Sequence, residues 1–273
     1  TIMILNKKLL TERGYLTFNL KELDEELYNE FKKTYTKEFL NKRIKIFRFD
    51  TSIDISNGDV SPEELFTTQF KVKYEGDTYI REDDFPIRDI KGKTHGKIEE
   101  LKKLQNYINE LDTPPNFDNI GQEWYYGPLR VIDNYGNITE PAETLQKLYI
   151  DVIKNLYKDD IVTIEDYLPH TTRRQNSSIV EGTDVTMYIK NNYIASHADG
   201  IDGNRLCVLL MYLNDDWENG YGGEIIVNDE VTVPPLFGNI VILDFTENNI
   251  EHEVLKVLNE SFERFAIIKF FYK

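Results

Sequence analysis

From Val185 onward the chain is a succession of short runs rich in β-branched and aromatic residues: "VTMYI", "LCVLLMYL", "GEIIV", "NIVILDF" and "RFAIIKFFY". Turn chemistry such as Asp202-Gly203-Asn204 and Gly222-Gly223 separates them. Neighbouring parallel strands need a crossover of a dozen or more residues, usually a helix, and no helical pattern lies between these runs. The segment therefore predicts an antiparallel sandwich or barrel.

Upstream the patterning is helical. Asn19 followed by Glu22 forms a capping-box pattern, and Leu23, Leu27, Phe31 and Tyr35 recur at i+4, which predicts one helix packed on a sheet. A second helix is expected from Ile98, Leu101, Leu104, Ile108 and Leu111, ending before Pro114-Pro115. A third should open at Thr139 with Pro141 in its first turn and carry Leu145, Leu148, Val152 and Leu156. Between residues 45 and 95, β-type runs such as "FTTQFKVKY" alternate with turn residues and charges. Gly92-Lys93-Thr94 looks like half of a phosphate loop, but Ile87 stands where the earlier glycine is required, so no nucleotide site is expected there.

Hydrophobic residues make up 40% and aromatics 12% of the 273 residues, enough for a substantial core, which excludes a disordered or collagen-like chain. One cysteine, Cys207, allows neither an internal disulfide nor a multi-thiolate zinc site, and it suits a reducing compartment; a cytoplasmic location is expected. The longest apolar run, Leu206 to Leu213, falls well short of the roughly 18 residues of a membrane span, so no membrane association is expected. With 48 acidic and 32 basic side chains, the net charge of −16 repels phosphate backbones and argues against a nucleic-acid partner. The acidity itself is explained by solubility.

Chemistry concentrates in the β-rich third. His197 and Asp199 sit at i and i+2, which places an imidazole and a carboxylate on the same face of an extended segment. The triplet alone is a weak signal. His252 follows the "NIVILDF" strand and Arg264 opens the last one. Two imidazoles and one carboxylate, without thiolate, are the ligand set of a non-haem Fe(II) facial triad, which leaves coordination positions open for chemistry. A dicarboxylate cosubstrate such as 2-oxoglutarate would further require a bidentate donor, and the guanidinium of Arg264 meets that need better than an ammonium.

From His197 to Tyr272 the blocks "HADG…NRLCVLLMYLNDDW", "GYGGEIIV", "PLFGNIVILDF" and "EHEVLKVLNESFERFAIIKFFY" resemble, in order and spacing, the prolyl 4-hydroxylase branch of the Fe(II)/2-oxoglutarate-dependent dioxygenases, including the oxygen-sensing prolyl hydroxylases and their bacterial and viral relatives. The resemblance implies a double-stranded β-helix (jelly roll) core over residues 166–273 in an α+β, mainly β fold. It says little about residues 1–165, which are expected from their patterning as a helix-rich supporting region with extra strands in the same single domain. It makes His197, Asp199 and His252 the catalytic iron ligands. Arg264, Tyr212 and Tyr188 become the 2-oxoglutarate pocket, and Arg205 and Trp217 border the substrate, Trp217 and Asp215-Asp216 lying on an expected covering loop. The implied cofactors are Fe(II), 2-oxoglutarate and O2, with ascorbate as a candidate reductant, and the implied partner is a peptide or protein containing proline.

Departures are specific. Lys256 stands where the family often has proline, and Phe270 where tryptophan is common in the last strand, so the substrate cannot be copied from relatives. Asp199 favours hydroxylation over halogenation, because related halogenases carry a small residue there to admit halide. Hydroxylation of a free amino acid or another small molecule is the alternative within the enzyme class, and a non-catalytic jelly-roll binding module is the alternative outside it. An open groove between the Trp217 turn and residues 165–185 would favour a chain substrate. His95 and His170 are expected at the surface or in capping roles, and Cys207 as a buried apolar residue.

Overall fold

The computed structural model describes residues 4–51, 66–75, 78–82, 87–89, 94–96, 122–129, 141–157, 182–199 and 205–272. In chain order, α1 (Lys7–Arg13), β1 (Tyr15–Asn19), α2 (Leu20–Leu23), α3 (Glu25–Thr34) and α4 (Lys37–Asn41) come first. Strands β2 (Ile46–Thr51), β3 (Phe66–Glu75), β4 (Thr78–Glu82), β5 (Ile87–Asp89), β6 (Thr94–Gly96) and β7 (Gln122–Pro128) follow, then α5 (Ala142–Tyr149), which widens into a π-helical turn at Ile150–Lys154. The last third holds β8 (Asp184–Tyr188), β9 (Ile194–Ala198), β10 (Arg205–Tyr212), β11 (Ile225–Val227), β12 (Val231–Val233), β13 (Asn239–Asp244), β14 (Glu251–Val254) and β15 (Arg264–Tyr272).

These last eight strands divide between two antiparallel sheets, switching sheet at each step except the β11–β12 hairpin. One has the order β12-β11-β14-β9; the other carries β13-β10-β15-β8 within an eleven-stranded sheet. Successive strands thus pass back and forth between facing sheets, the winding of a double-stranded β-helix. On β15 the pleat sends Phe265, Ile267 and Phe271 to one side and Ala266 to the other. The first set packs with Leu27, Phe31, Leu145, Leu148 and Val152 from the helices. On the opposite side Ala266 joins Tyr188, Val208, Tyr212, Ile225 and Phe245 between the sheets. The helices therefore stiffen the large sheet from behind and leave its inner face for the site.

Three expectations are corrected or refined. The predicted single helix after Asn19 is two helices: Asp24, with φ −152° and ψ 100°, ends α2 and caps α3 by accepting from the Leu27 amide at 2.9 Å. Asn19 accepts from Lys21 N rather than completing a box with Glu22. The i+4 stripe survives because Leu27, Phe31 and Tyr35 all lie on α3 and its C-cap. The third helix begins at Ala142, with Pro141 at its N-cap, and its π turn keeps Val152 and Ile153 buried. The region between 45 and 95, which had no assigned architecture, lengthens the large sheet through the order β8-β7-β2-β3-β5-β6. The helix expected over Ile98–Leu111, Thr139, His170 and the Asp202-Gly203-Asn204 turn lie outside the described residues, as does the side chain of His95. Cys207 is buried, as expected. Among the described residues no helix is long and apolar enough to cross a membrane.

Candidate active site

The site begins with one strand pair. β14 pairs with β9 so that His252 stands directly opposite His197, with ring centroids 4.4 Å apart, and Asp199 follows at the end of β9. Asp199 Oδ1 lies 3.8 Å from His197 Nε2, and its Oδ2 lies 3.7 Å from His252 Nε2. One ligand atom from each residue lies within 4.8 Å of the others, and among the described residues this is the one cluster of its kind. Each imidazole has Nδ1 against the backbone carbonyl two residues before it: Ala195 for His197 at 2.9 Å and Ile250 for His252 at 3.2 Å. A proton on Nδ1 donated to that carbonyl leaves Nε2 with its lone pair facing the cluster. Burial, and then the neighbouring His197, hold the His252 pKa below the ordinary imidazole value, which favours the neutral, ligating form. Two neutral nitrogens and one carboxylate oxygen suit a ferrous ion.

The core between the same two sheets also holds a buried cation. Arg264, the first residue of β15, is 1% exposed, and its Nε donates to the Gly223 carbonyl at 2.6 Å. Its guanidinium is held between two aromatic rings, 4.6 Å from the Tyr188 centroid and 4.8 Å from that of Tyr212. The cross-strand pairs Arg264↔Tyr188 and Tyr212↔Ala266 produce this arrangement. Among the described residues, Arg264 Nη2 and the Tyr212 hydroxyl are both buried without a hydrogen-bond partner. Burial raises the Tyr212 pKa and keeps the phenol protonated, so both groups are donors. Unsatisfied buried donors cost roughly 1–3 kcal/mol each, and more when charged, so an adjacent pair of them fits an absent anion.

Two further residues, to which the sequence reading gave no role, support this pocket. Asn214, fully buried, gives its amide NH2 to the carbonyls of Pro235 and Phe265 and accepts from Phe265 N at 2.7 Å, which fixes the backbone next to Arg264. Trp124, from β7, stacks with Tyr188, with ring centroids 6.2 Å apart and planes 19° from parallel.

Of the two residues expected near the substrate, the fold brings one to the triad. Arg205 Nη1 donates to the Asp199 carbonyl at 2.8 Å, and its guanidinium lies 4.9 Å from the Phe270 ring centroid. Trp217 follows the other end of β10 and packs against the core between the sheets, the one that contains Tyr188 and Tyr212. Its indole donates to the Gly222 carbonyl, while Asp215 and Asp216 pair with Lys32 and Lys37 of the helices.

Gly223 is sterically committed to this site. It has φ +83°, and a Cβ there would lie 2.8 Å from Arg264 Cδ and 3.3 Å from Val257 Cγ2. Gly223→Ala is expected to lose roughly 1–2 kcal/mol of stability from the left-handed backbone alone, measured by urea unfolding. It should also weaken 2-oxoglutarate binding by displacing Arg264, while Mn(II) binding to the triad is retained.

Residues 183–272, which span β8 to β15, match the family model described as the 2OG-Fe(II) oxygenase superfamily. This part of the chain is a 2OG-Fe(II) oxygenase domain. Similar solved structures include a prolyl-4-hydroxylase from Pseudomonas putida, 18% identical, with a TM-score of 0.36 over 50% of this chain and 68% of that one. A viral collagen prolyl hydroxylase from Paramecium Bursaria Chlorella virus-1 is 24% identical, with a TM-score of 0.29 over 33% of this chain and 57% of that one. A Trichoplax adhaerens prolyl hydroxylase in complex with a hypoxia inducible factor peptide fragment is 13% identical, with a TM-score of 0.40 over 98% of this chain and 87% of that one. No curated protein matches the sequence. The oxygenase domain uses Fe(II), 2-oxoglutarate and O2, and the enzyme is a 2-oxoglutarate-dependent dioxygenase.

Proposed function

We propose that this dioxygenase hydroxylates prolyl residues of a peptide or protein, with His197, Asp199 and His252 holding the metal and Arg264, Tyr212 and Tyr188 forming the 2-oxoglutarate pocket. The observation that carries the reading is the convergence of three ligand atoms within 4.8 Å of one another, in a fold that also buries a guanidinium with a nitrogen unpartnered among the described residues. When bound, the ferrous ion couples oxidative decarboxylation of 2-oxoglutarate by O2 to insertion of an oxygen atom into an unactivated C–H bond. The protein's task is to place the reactants. Asp199 supplies the one negative charge of the triad, and the Ala195 and Ile250 carbonyls orient the two imidazoles. Arg264 and the Tyr212 hydroxyl donate to the distal carboxylate of the cosubstrate, and the Tyr188 and Trp124 rings keep water from the guanidinium.

The choice of a prolyl substrate is supported by the sequence blocks "YLNDDW" with the following Gly222-Gly223, and "HEV" with the following Arg264. The test is a reaction of Fe(II)-loaded protein with 2-oxoglutarate, O2 and a library of proline-containing peptides. The expected result is succinate release matched by a one-oxygen mass gain at proline. Succinate release stimulated by free proline or another small molecule, with every peptide inert, would overturn the peptide assignment.

A further inference from the structure

We infer that Arg205 is a positioning residue for the triad: it anchors the backbone of Asp199 and thereby sets where that carboxylate stands. The inference rests on the metal site proposed above. Both histidines lie within paired strands, and their register fixes them against each other. Asp199 lies one residue past the end of β9, beyond the last paired position, Ala198↔Glu251. A carboxylate at a strand end has its backbone free to swing unless something else holds it. The hydrogen bond from Arg205 Nη1 to the Asp199 carbonyl, at 2.8 Å, provides that hold.

Arg205 is itself fixed from two directions. It occupies the first position of β10, opposite Tyr272, next to a register shift between Arg205 and Cys207. Its guanidinium lies over the face of Phe270, and Phe270 in turn stacks on Phe245 with ring planes 17° apart. Phe245 is 1% exposed and belongs to the core between the two sheets. A path of packed groups thus runs from that core through Phe245, Phe270 and Arg205 to the one acidic ligand. The planar guanidinium suits this double duty, stacking on a ring while its edge donates to a carbonyl, whereas a lysine ammonium would keep a donor and lose the stack. Phe270 then has a role of its own, as the platform beneath the arginine.

Residues that orient metal ligands change metal affinity roughly 10- to 100-fold when removed. The test is a titration of metal-free protein with Mn(II), reading free ion by electron paramagnetic resonance, for wild type, Arg205→Ala and Arg205→Lys, with Asp199→Ala as reference. Thermal unfolding of each metal-free protein is recorded alongside. The expected result is one Mn(II) per wild-type chain and a roughly 10- to 100-fold weaker site in Arg205→Ala. Arg205→Lys should recover part of the loss, with unfolding temperatures unchanged.

Wild-type affinity in Arg205→Ala would overturn the positioning role while leaving the triad standing. Failure of wild type to bind Mn(II), or binding unaffected by Asp199→Ala, would overturn the metal site and the inference with it. If Arg205→Ala does not fold, Arg205→Lys and Phe270→Leu decide the matter, since the first replaces the stacked guanidinium and the second removes the ring beneath it. Wild-type Mn(II) affinity in both would overturn the inference.

Discussion

Asp199→Ala is expected to abolish substrate-coupled succinate release and to cut divalent-metal affinity by two to three decades. The side chain is the single anion of the triad, and its two oxygens reach both imidazoles, at 3.8 Å from His197 Nε2 and 3.7 Å from His252 Nε2. Without it, a dication would face two neutral nitrogens, one of them on a residue only 9% exposed, and lose the triad's own charge that offsets desolvation. Removing one partner of a buried charge pair costs about 3–5 kcal/mol, and each factor of ten in affinity is about 1.4 kcal/mol. Asp199→Asn separates shape from charge: it keeps the volume and one oxygen, so a loss nearly as large would locate the effect in the charge. The measurement is succinate release with Fe(II) next to a Mn(II) titration. Full hydroxylation by Asp199→Ala would show that the carboxylate is not a ligand.

The sequence made the triad legible because its spacing depends on strand periodicity alone. His197 and Asp199 share a face by the period of two, and His252 follows a strand with an unmistakable apolar run. Register then does the rest, setting His252 opposite His197, and no local pattern announces that pairing. β9 itself was hard to see: its residues are half-buried or exposed, and "IASHA" carries no aliphatic run. Trp124 is illegible for a different reason. It comes from a strand far upstream that enters the large sheet next to β8, and only that tertiary pairing brings its ring to Tyr188. The split at Asp24 escaped notice because both sides of the break keep the same apolar spacing, while the capping aspartate looks like an ordinary helix-surface residue.

Arg264→Ala should raise the 2-oxoglutarate dissociation constant by roughly 2–5 kcal/mol, about thirtyfold to several thousandfold, with Mn(II) affinity retained. The size follows from where the guanidinium sits. It is 1% exposed, its Nε is used by Gly223, and its Nη2 has no partner among the described residues, so a cosubstrate carboxylate would meet a charged donor in a desolvated pocket. The same burial makes alanine a risk to folding, because the side chain fills the space between the Tyr188 and Tyr212 rings. Arg264→Lys and Tyr212→Phe keep the volume closer to wild type. Lysine retains the charge but loses the bidentate edge and the fit between the rings; phenylalanine removes one hydroxyl donor, worth about 1.5–3 kcal/mol toward a charged acceptor. Each should weaken 2-oxoglutarate binding less than Arg264→Ala does, and the double variant should lose more than either alone, because both donors address one carboxylate. Calorimetric titration of the Mn(II)-loaded proteins with 2-oxoglutarate measures all of these. A dissociation constant unmoved by both conservative variants would mean that the dicarboxylate is held elsewhere, and that the unpartnered donors of Arg264 and Tyr212 serve another anion.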